Sequence, residues 1–158
     1  MHEKHEKTNA MRQLDRKKAA YTVHSYDGGA LSGTEVAAAL GQDPAHCFKT
    51  LVTVGRNGGQ YVFMIPVAAE LDLRKAASAA GEKSVAMLPQ KELLPLTGYI
   101  HGGCSPIGMK KQFPTFADAT IADGETVCFS GGRVGLQIET TLAALQSVVP
   151  VTLADLTV

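Results

Sequence analysis

The pattern of apolar and polar positions divides the chain into short strands and short helices. Tyr21-Thr22-Val23-His24-Ser25-Tyr26 alternates and is rich in strand-forming side chains, which predicts a first strand ended by Asp27-Gly28-Gly29. Before it, Thr8 is placed to cap a helix with Met11 and Leu14 on one face. After it, Ser32 or Thr34 opens a short helix through Val36, Ala37 and Leu40, which Gly41 stops. Asp43-Pro44 opens one more helical turn. Phe48 to Val54 predicts a second strand, and Gly55-Arg56-Asn57-Gly58-Gly59 turns the chain back, with Asn-Gly as its strongest hairpin signal. Tyr61 to Pro66 returns as an almost wholly apolar strand, as expected when both faces are covered.

Further along, Asp72 is placed to cap a helix from Leu73 to Ala80, ended by Gly81. Ser84 to Met87 reads as a short strand, Pro89 to Leu96 as a helical turn or two, and Gln112 to Ala122 as room for one short strand. Thr126 to Phe129 is a strand, Ser130-Gly131-Gly132-Arg133 a turn, and Val134 to Ile138 the strand that pairs back. Thr140 is expected to cap a last helix, Leu142 to Val148, which Pro150 ends. Strands interleave with helices while hairpins recur. That combination predicts a mixed α/β fold: a curved, mostly antiparallel, barrel-like sheet with helices packed outside it, rather than a doubly wound parallel sheet. No repeat or linker divides the chain, so residues 1–158 are expected to form a single domain with residues 1–7 frayed.

Composition narrows the function. With 158 residues, 45% of them hydrophobic and 19% charged, the chain can build one real core. No apolar run reaches the length of a membrane span, and the charged N-terminus lacks an apolar signal core, so a cytoplasmic protein without a membrane partner is expected. The three cysteines, Cys47, Cys104 and Cys128, form no CxxC pair and read as reduced thiols. The formal net charge is +0, whereas a protein that grips nucleic acid through many phosphates is usually basic. DNA is therefore not expected, and an RNA partner would be touched at a short end or with help from another protein. Arg12, Arg16, Lys17 and Lys18 make one segment locally basic, either as a solvated face or as a contact with RNA phosphate.

Chemistry concentrates in the stretch from Gly98 to Gly108, followed by Lys110 and Lys111. Its glycines allow tight turns and close approach to a ligand, so the loop is read as presenting backbone N–H groups and the Ser105 hydroxyl to a small polar group; the alternative is a tight connection without a ligand. Ser105 is not read as a nucleophile. Pro106 follows it, has no N–H for an oxyanion, and no glycine stands at the second position beyond. Cys104 has His101 three residues away, but an unpaired cysteine is more often a small core residue. Histidines and cysteines lack a second pair at ligand spacing, and the glycines lack a Walker ending, so no metal and no cofactor are expected. Lys49 is the hardest residue to explain as scaffold, because its strand neighbours are apolar or β-branched. It is either an edge-strand lysine or stem that reaches solvent, or a functional cation. Arg133, in the second glycine turn, could meet a phosphate or a terminal ribose.

Together, Phe48-Lys49-Thr50-Leu51, Pro66-Val67 with Leu71-Asp72-Leu73, Thr97-Gly98-Tyr99 through Gly108, Lys110-Lys111 and Ser130-Gly131-Gly132 resemble the YbaK family of aminoacyl-tRNA deacylases. The resemblance runs from His24 to the last helix. It implies a compact α/β fold and hydrolytic proofreading, in trans, of tRNA carrying the wrong amino acid. The nearest subgroup clears cysteine from proline tRNA and from cysteine tRNA. The resemblance implies that Lys49 is the residue on which activity depends, and that Tyr26, Gly103 and Ser130 are pocket positions; the backbone N–H groups of Gly102 and Gly103 are expected to polarise the carbonyl, and Gly131 is expected beside Ser130 in the substrate site. It also implies substrate-assisted cleavage, the 3′ end of aminoacyl-tRNA as the bound partner, and prolyl-tRNA synthetase as an assisting one. Two positions depart from the family pattern: Ala30-Leu31-Ser32-Gly33 lacks an aromatic pocket residue, and Gln137 stands where Gly-Leu is usually followed by aspartate. Clearing of alanine or serine, and a non-catalytic module that binds tRNA or a synthetase, are the alternative functions.

Overall fold

The computed structural model describes residues 6–27, 29 and 31–158. Residues 1–5 of the segment expected to fray, Gly28 of the first predicted turn and Ala30 lie outside the described residues. Helix α1 (Asn9–Arg16) starts where the Thr8 hydroxyl accepts the Met11 N–H, and it buries Ala10, Met11 and Leu14. Strand β1 (Thr22–Ser25) follows. Helix α2 (Gly33–Ala39) opens on a full capping box, Ser32 with Glu35, which satisfies two otherwise orphaned N–H groups. A single 3₁₀ turn, Pro44–His46, is capped by Asp43.

Strands β2 (Phe48–Gly55) and β3 (Gln60–Pro66) form the predicted hairpin, with Lys49 opposite Ile65 and Thr50 opposite Met64. Helix α3 (Leu73–Ala80) has its Asp72 cap and ends on Gly81 in the left-handed region. Strand β4 (Val85–Met87) pairs with the far end of β2. Helix α4 (Gln90–Thr97) runs into Gly98, and β5 (Thr115–Asp118) occupies the stretch expected to hold one short strand. Strands β6 (Val127–Ser130) and β7 (Leu136–Thr140) make the second hairpin. Helix α5 (Leu142–Val148) is capped by Thr141, not Thr140 as the sequence suggested. Thr140 belongs to β7, and its hydroxyl donates to the Ala20 carbonyl, which ties the strand to the segment before β1. One strand was not anticipated: β8 (Val151–Ala154), which adds in parallel to β5.

The strands form two sheets. A three-stranded sheet has the order β1-β7-β6, and a five-stranded mixed sheet has the order β4-β2-β3-β5-β8. The parallel pairs β3–β5 and β5–β8 make the larger sheet mixed, as expected from interleaved helices. A single parallel bridge between Cys47 and Cys128 joins the start of β2 to β6, so the two sheets meet there. Phe48, Met64, Phe129, Leu136 and Ile138 fuse the sheets into one core, against which α1 packs Met11 and Leu14 and α5 packs Leu145. No helix among the described residues is long and apolar enough to cross a membrane.

Candidate active site

A cavity of about 220 Å³ lies where the two sheets meet. The larger sheet contributes Phe48, Lys49, Thr50 and Leu51 from the start of β2; the smaller contributes Ser130 from β6 and Gln137 from β7, with Tyr26 just past β1. The first turn of α2 closes one side through Ser32, Gly33 and Val36, and His101, Gly102 and Cys104 of the glycine loop close another. The volume falls below the roughly 300–1,000 Å³ typical of drug-sized ligand sites. It suits an amino-acid side chain and its ester rather than a whole nucleotide.

Lys49 is half-buried at the wall of this cavity. No aspartate or glutamate is among the described lining residues, and the ion pairs of the described residues do not include Lys49. A lysine without a counterion in a partly enclosed site leaves positive potential there for an electron-rich group. Ser130 stands across the smaller sheet. Its Oγ accepts the Gly132 N–H at 3.1 Å, which leaves the hydroxyl proton to donate elsewhere. Gln137 is turned by a hydrogen bond from its Nε2 to Gln42 Oε1 at 2.9 Å, and the Cys47 thiol donates to the same oxygen at 3.5 Å. The Thr50 hydroxyl is buried without a partner among the described residues, although Thr50 lines the cavity.

The glycine loop is held by Tyr99 and Ser105 rather than by a ligand. Buried Tyr99 donates to the Ile107 carbonyl at 2.6 Å and accepts the Ala10 N–H, so its ring ties the loop to α1; burial raises its phenol well above the usual range. Ser105 is fully buried, lies outside the cavity lining, and accepts the Ile107 N–H at 3.3 Å. The glycine-rich pattern predicts that this hydroxyl meets a ligand; in the structure it organises the turn around Pro106. Gly102 takes φ +85° as the third residue of a tight turn in which the Gly103 N–H donates to the Ile100 carbonyl at 2.9 Å. That bond corrects the expectation that both N–H groups face a ligand, because only the Gly102 N–H remains without an acceptor among the described residues. Gly103 instead serves close packing: a Cβ there would sit 2.9 Å from the Val134 nitrogen and 3.2 Å from the Arg133 backbone. Gly131 is buried, outside the cavity lining, and its N–H donates to the Leu136 carbonyl.

Cys104 and His101, singled out together in the sequence, both line the cavity. Burial pushes the Cys104 thiol up to about 12, so it is a neutral SH at ordinary pH. Among the described residues no group of three or more His, Cys, Asp or Glu side chains is arranged around a common point. Sequence reasoning missed Leu93 in the lining and had Val67 only as part of the family resemblance. Leu93 carries no local signal: it is an ordinary apolar residue brought in by the path of α4. Thr50 had a visible signal, its place beside Lys49 at the start of β2.

Comparison with known proteins places this geometry in a family. Residues 29–148 match the model for aminoacyl-tRNA editing domains. An Enterococcus faecalis protein assigned as a Cys-tRNA(Pro)/Cys-tRNA(Cys) deacylase, EbsC, is 44% identical over 154 residues, covering 96% of this chain and 94% of that protein. A crystal structure described as a trans-editing enzyme for prolyl-tRNA synthetase superposes with a TM-score of 0.83 at 26% identity, covering 94% of this chain and 92% of the other. The crystal structure of hypothetical protein APE2540, at 22% identity, shares the fold with a TM-score of 0.87 over 96% of this chain and 100% of that one. The match extends over most of the chain and includes every element that lines the cavity except Tyr26 of the first strand's exit, and on it the chain belongs to the family of aminoacyl-tRNA editing domains.

Proposed function

We propose that the chain is a deacylase that removes cysteine from tRNA in trans, acting on Cys-tRNA(Pro) and Cys-tRNA(Cys). One observation carries the reading: Lys49, without a carboxylate partner among the described residues, shares a small cavity with the Gly102 turn and Ser130. The Enterococcus faecalis relative's name supports the substrate. The reaction must cleave the ester between the amino acid and the terminal ribose. Among the described residues the one cysteine in the cavity is held as a neutral thiol, and Ser130 has no base hydrogen-bonded to it. In this reading, as the family resemblance implies, the substrate's own sulfur is the attacking atom. It forms a bond to its carbonyl carbon, the bond from that carbon to the ribose oxygen breaks, and the thiol proton ends on the departing ribose hydroxyl, leaving a cysteine thiolactone. Attack within one molecule gains its rate from orientation, which a fitted cavity supplies.

In this scheme the Lys49 ammonium stabilises negative charge on the sulfur or on the developing carbonyl oxygen, the Gly102 N–H polarises that carbonyl, and the Ser130 hydroxyl holds the amino acid. Tyr26 and Gln137 complete the wall. Prolyl-tRNA synthetase is the proposed assistant, in keeping with a net charge of +0 and with the structural neighbour described as serving that synthetase. A panel of Cys-, Ala- and Ser-charged tRNAs, with and without the synthetase, tests the reading. Rapid clearance of cysteine alone is expected, and Lys49→Met is expected to lower kcat on the order of 10²–10³-fold, the usual cost of one lost transition-state contact. Preference for alanine or serine, which have no thiol, would rule out the substrate-assisted route. Tight tRNA binding without any ester cleavage would leave a binding module.

A further inference from the structure

The cavity on Lys49 has room for the aminoacyl group, so the nucleotides behind it must cross the neighbouring surface. A second cavity, of about 340 Å³, lies on the same two glycine turns. The first turn gives His101, Gly102 and Cys104 to the Lys49 cavity and gives Gly98, Tyr99 and Lys110 to the second; the other turn gives Ser130 to the first and Gly132 and Arg133 to the second. The hydrogen bond from Gly132 N–H to Ser130 Oγ, 3.1 Å long, spans the boundary between them.

The wall of the second cavity is cationic. It carries Lys7, Lys110 and Arg133 against one carboxylate, Glu6. Lys7 is committed to an ion pair with Asp15. Arg133 has no ion pair among the described residues, and Lys110 makes only a long contact, 3.5 Å, to the Pro95 carbonyl. The uncharged polar groups are already used: Thr8 Oγ1 donates to the Gly131 carbonyl and Asn9 Nδ2 to the Gly108 carbonyl. Among the described residues, what remains for a ligand is two cations outside any ion pair, one a guanidinium suited to a phosphate's paired oxygens.

We infer that this second cavity holds backbone phosphates of the tRNA acceptor end through Arg133 and Lys110 while the ester lies against Lys49. The inference rests on the deacylase reading. It also answers the +0 net charge, because two well-placed cations at the reacting end replace a broadly basic surface.

The test compares two substrates in the full chain: Cys-tRNA(Pro), and 3′-O-cysteinyl-adenosine, which has the ester but no phosphate. Both side chains are exposed, so Arg133→Ala with Lys110→Ala, and Arg133→Glu alone, should leave folding intact. The double variant is expected to lose about tenfold or more in kcat/KM on the tRNA at low salt. Its dependence on log salt should be shallower by about 1.4, two single-strand phosphate contacts at roughly 0.7 each. Cleavage of the nucleoside ester should stay within twofold. Equal losses on both substrates would overturn the inference by placing Arg133 at the ribose or the ester. Unchanged kinetics on the tRNA would overturn it too, and saturation of that unchanged system by inorganic phosphate would identify a free-anion site. If the wild-type chain cleaves neither substrate, it is the deacylase reading that fails. Binding of uncharged tRNA by fluorescence anisotropy then decides the inference: a weaker, less salt-dependent complex in the double variant supports it, and an unaltered one ends it.

Discussion

At the scale of single residues, the lining of the Lys49 cavity separates groups that can act from groups that only fill space. Cys104 faces the cavity, yet burial holds its thiol near 12, against the ordinary 9.0. A neutral buried thiol neither attacks an ester nor reacts quickly with alkylating reagents. Cys104→Ala is therefore expected to keep deacylation within a few-fold of wild type, and iodoacetamide labelling of Cys104 should stay slow through neutral pH and accelerate only in strong alkali; loss of activity with the fold intact would instead make this thiol the nucleophile. Lys49 stands out in the sequence because a cation in an apolar, β-branched strand violates a pattern, and the fold sets it in the cavity wall. Ser105 was misread for the opposite reason. A Gly-rich loop with a Ser-Pro looks the same in sequence whether its hydroxyl meets a ligand or an N–H two residues on, and here Ile107 takes it. The Gly103 N–H was misread likewise, since the turn bond to Ile100 depends on geometry that no residue type encodes.

At the scale of elements, the site depends on how two turns cross. Gly103 presses against the backbone of Arg133 and Val134, which has no flexible side chain to move aside. Gly103→Ala is expected to push the 98–108 loop off the 130–135 turn and to cost about 1–3 kcal/mol of stability, the usual penalty of overpacking. Because Gly102 and Ser130 ride on those turns, KM should rise together with the loss of stability, in thermal melts and kinetics on the same preparation. A fully stable variant with normal KM would show that the crossing is loose. Most elements could be read from their ends: Thr8, Ser32, Asp43 and Asp72 all cap where their chemistry suggested. The exceptions lie where tertiary contacts decide. Thr140 and Thr141 are equivalent caps on paper, and the bond from Thr140 to the Ala20 carbonyl chooses between them. Strand β8 follows Pro150, which reads only as the end of the last helix, and β5 offers it the parallel edge on which it forms.

At the scale of the whole molecule, several protons are held more tightly by the folded chain than by the unfolded one. Burial and a hydrogen bond to Asp15 raise Tyr21 from 10.0 to about 12, burial raises Cys104 from 9.0 to about 12, and burial raises Tyr99 as well. Groups of this kind add stability that is complete below their unfolded pKa and is lost as pH climbs through the folded value. Denaturant midpoints should therefore be level from neutrality to about pH 9 and fall steadily above it, with Cys104→Ala flattening part of the fall; a midpoint that held or rose in alkali would contradict the burial of these groups. The fold class itself was legible, because recurring hairpins among helices leave few arrangements. The division into two sheets was not, because it depends on one bridge, Cys47 to Cys128, between residues 81 positions apart. That bridge has an evolutionary corollary. Since Lys49 rides on one sheet while Ser130 and Gln137 ride on the other, the spacing of the jaws is set by how the sheets are seated rather than by the residues that line them. Two descendants could keep every wall residue and still accept different amino acids, the divergence being written in core positions remote from the substrate.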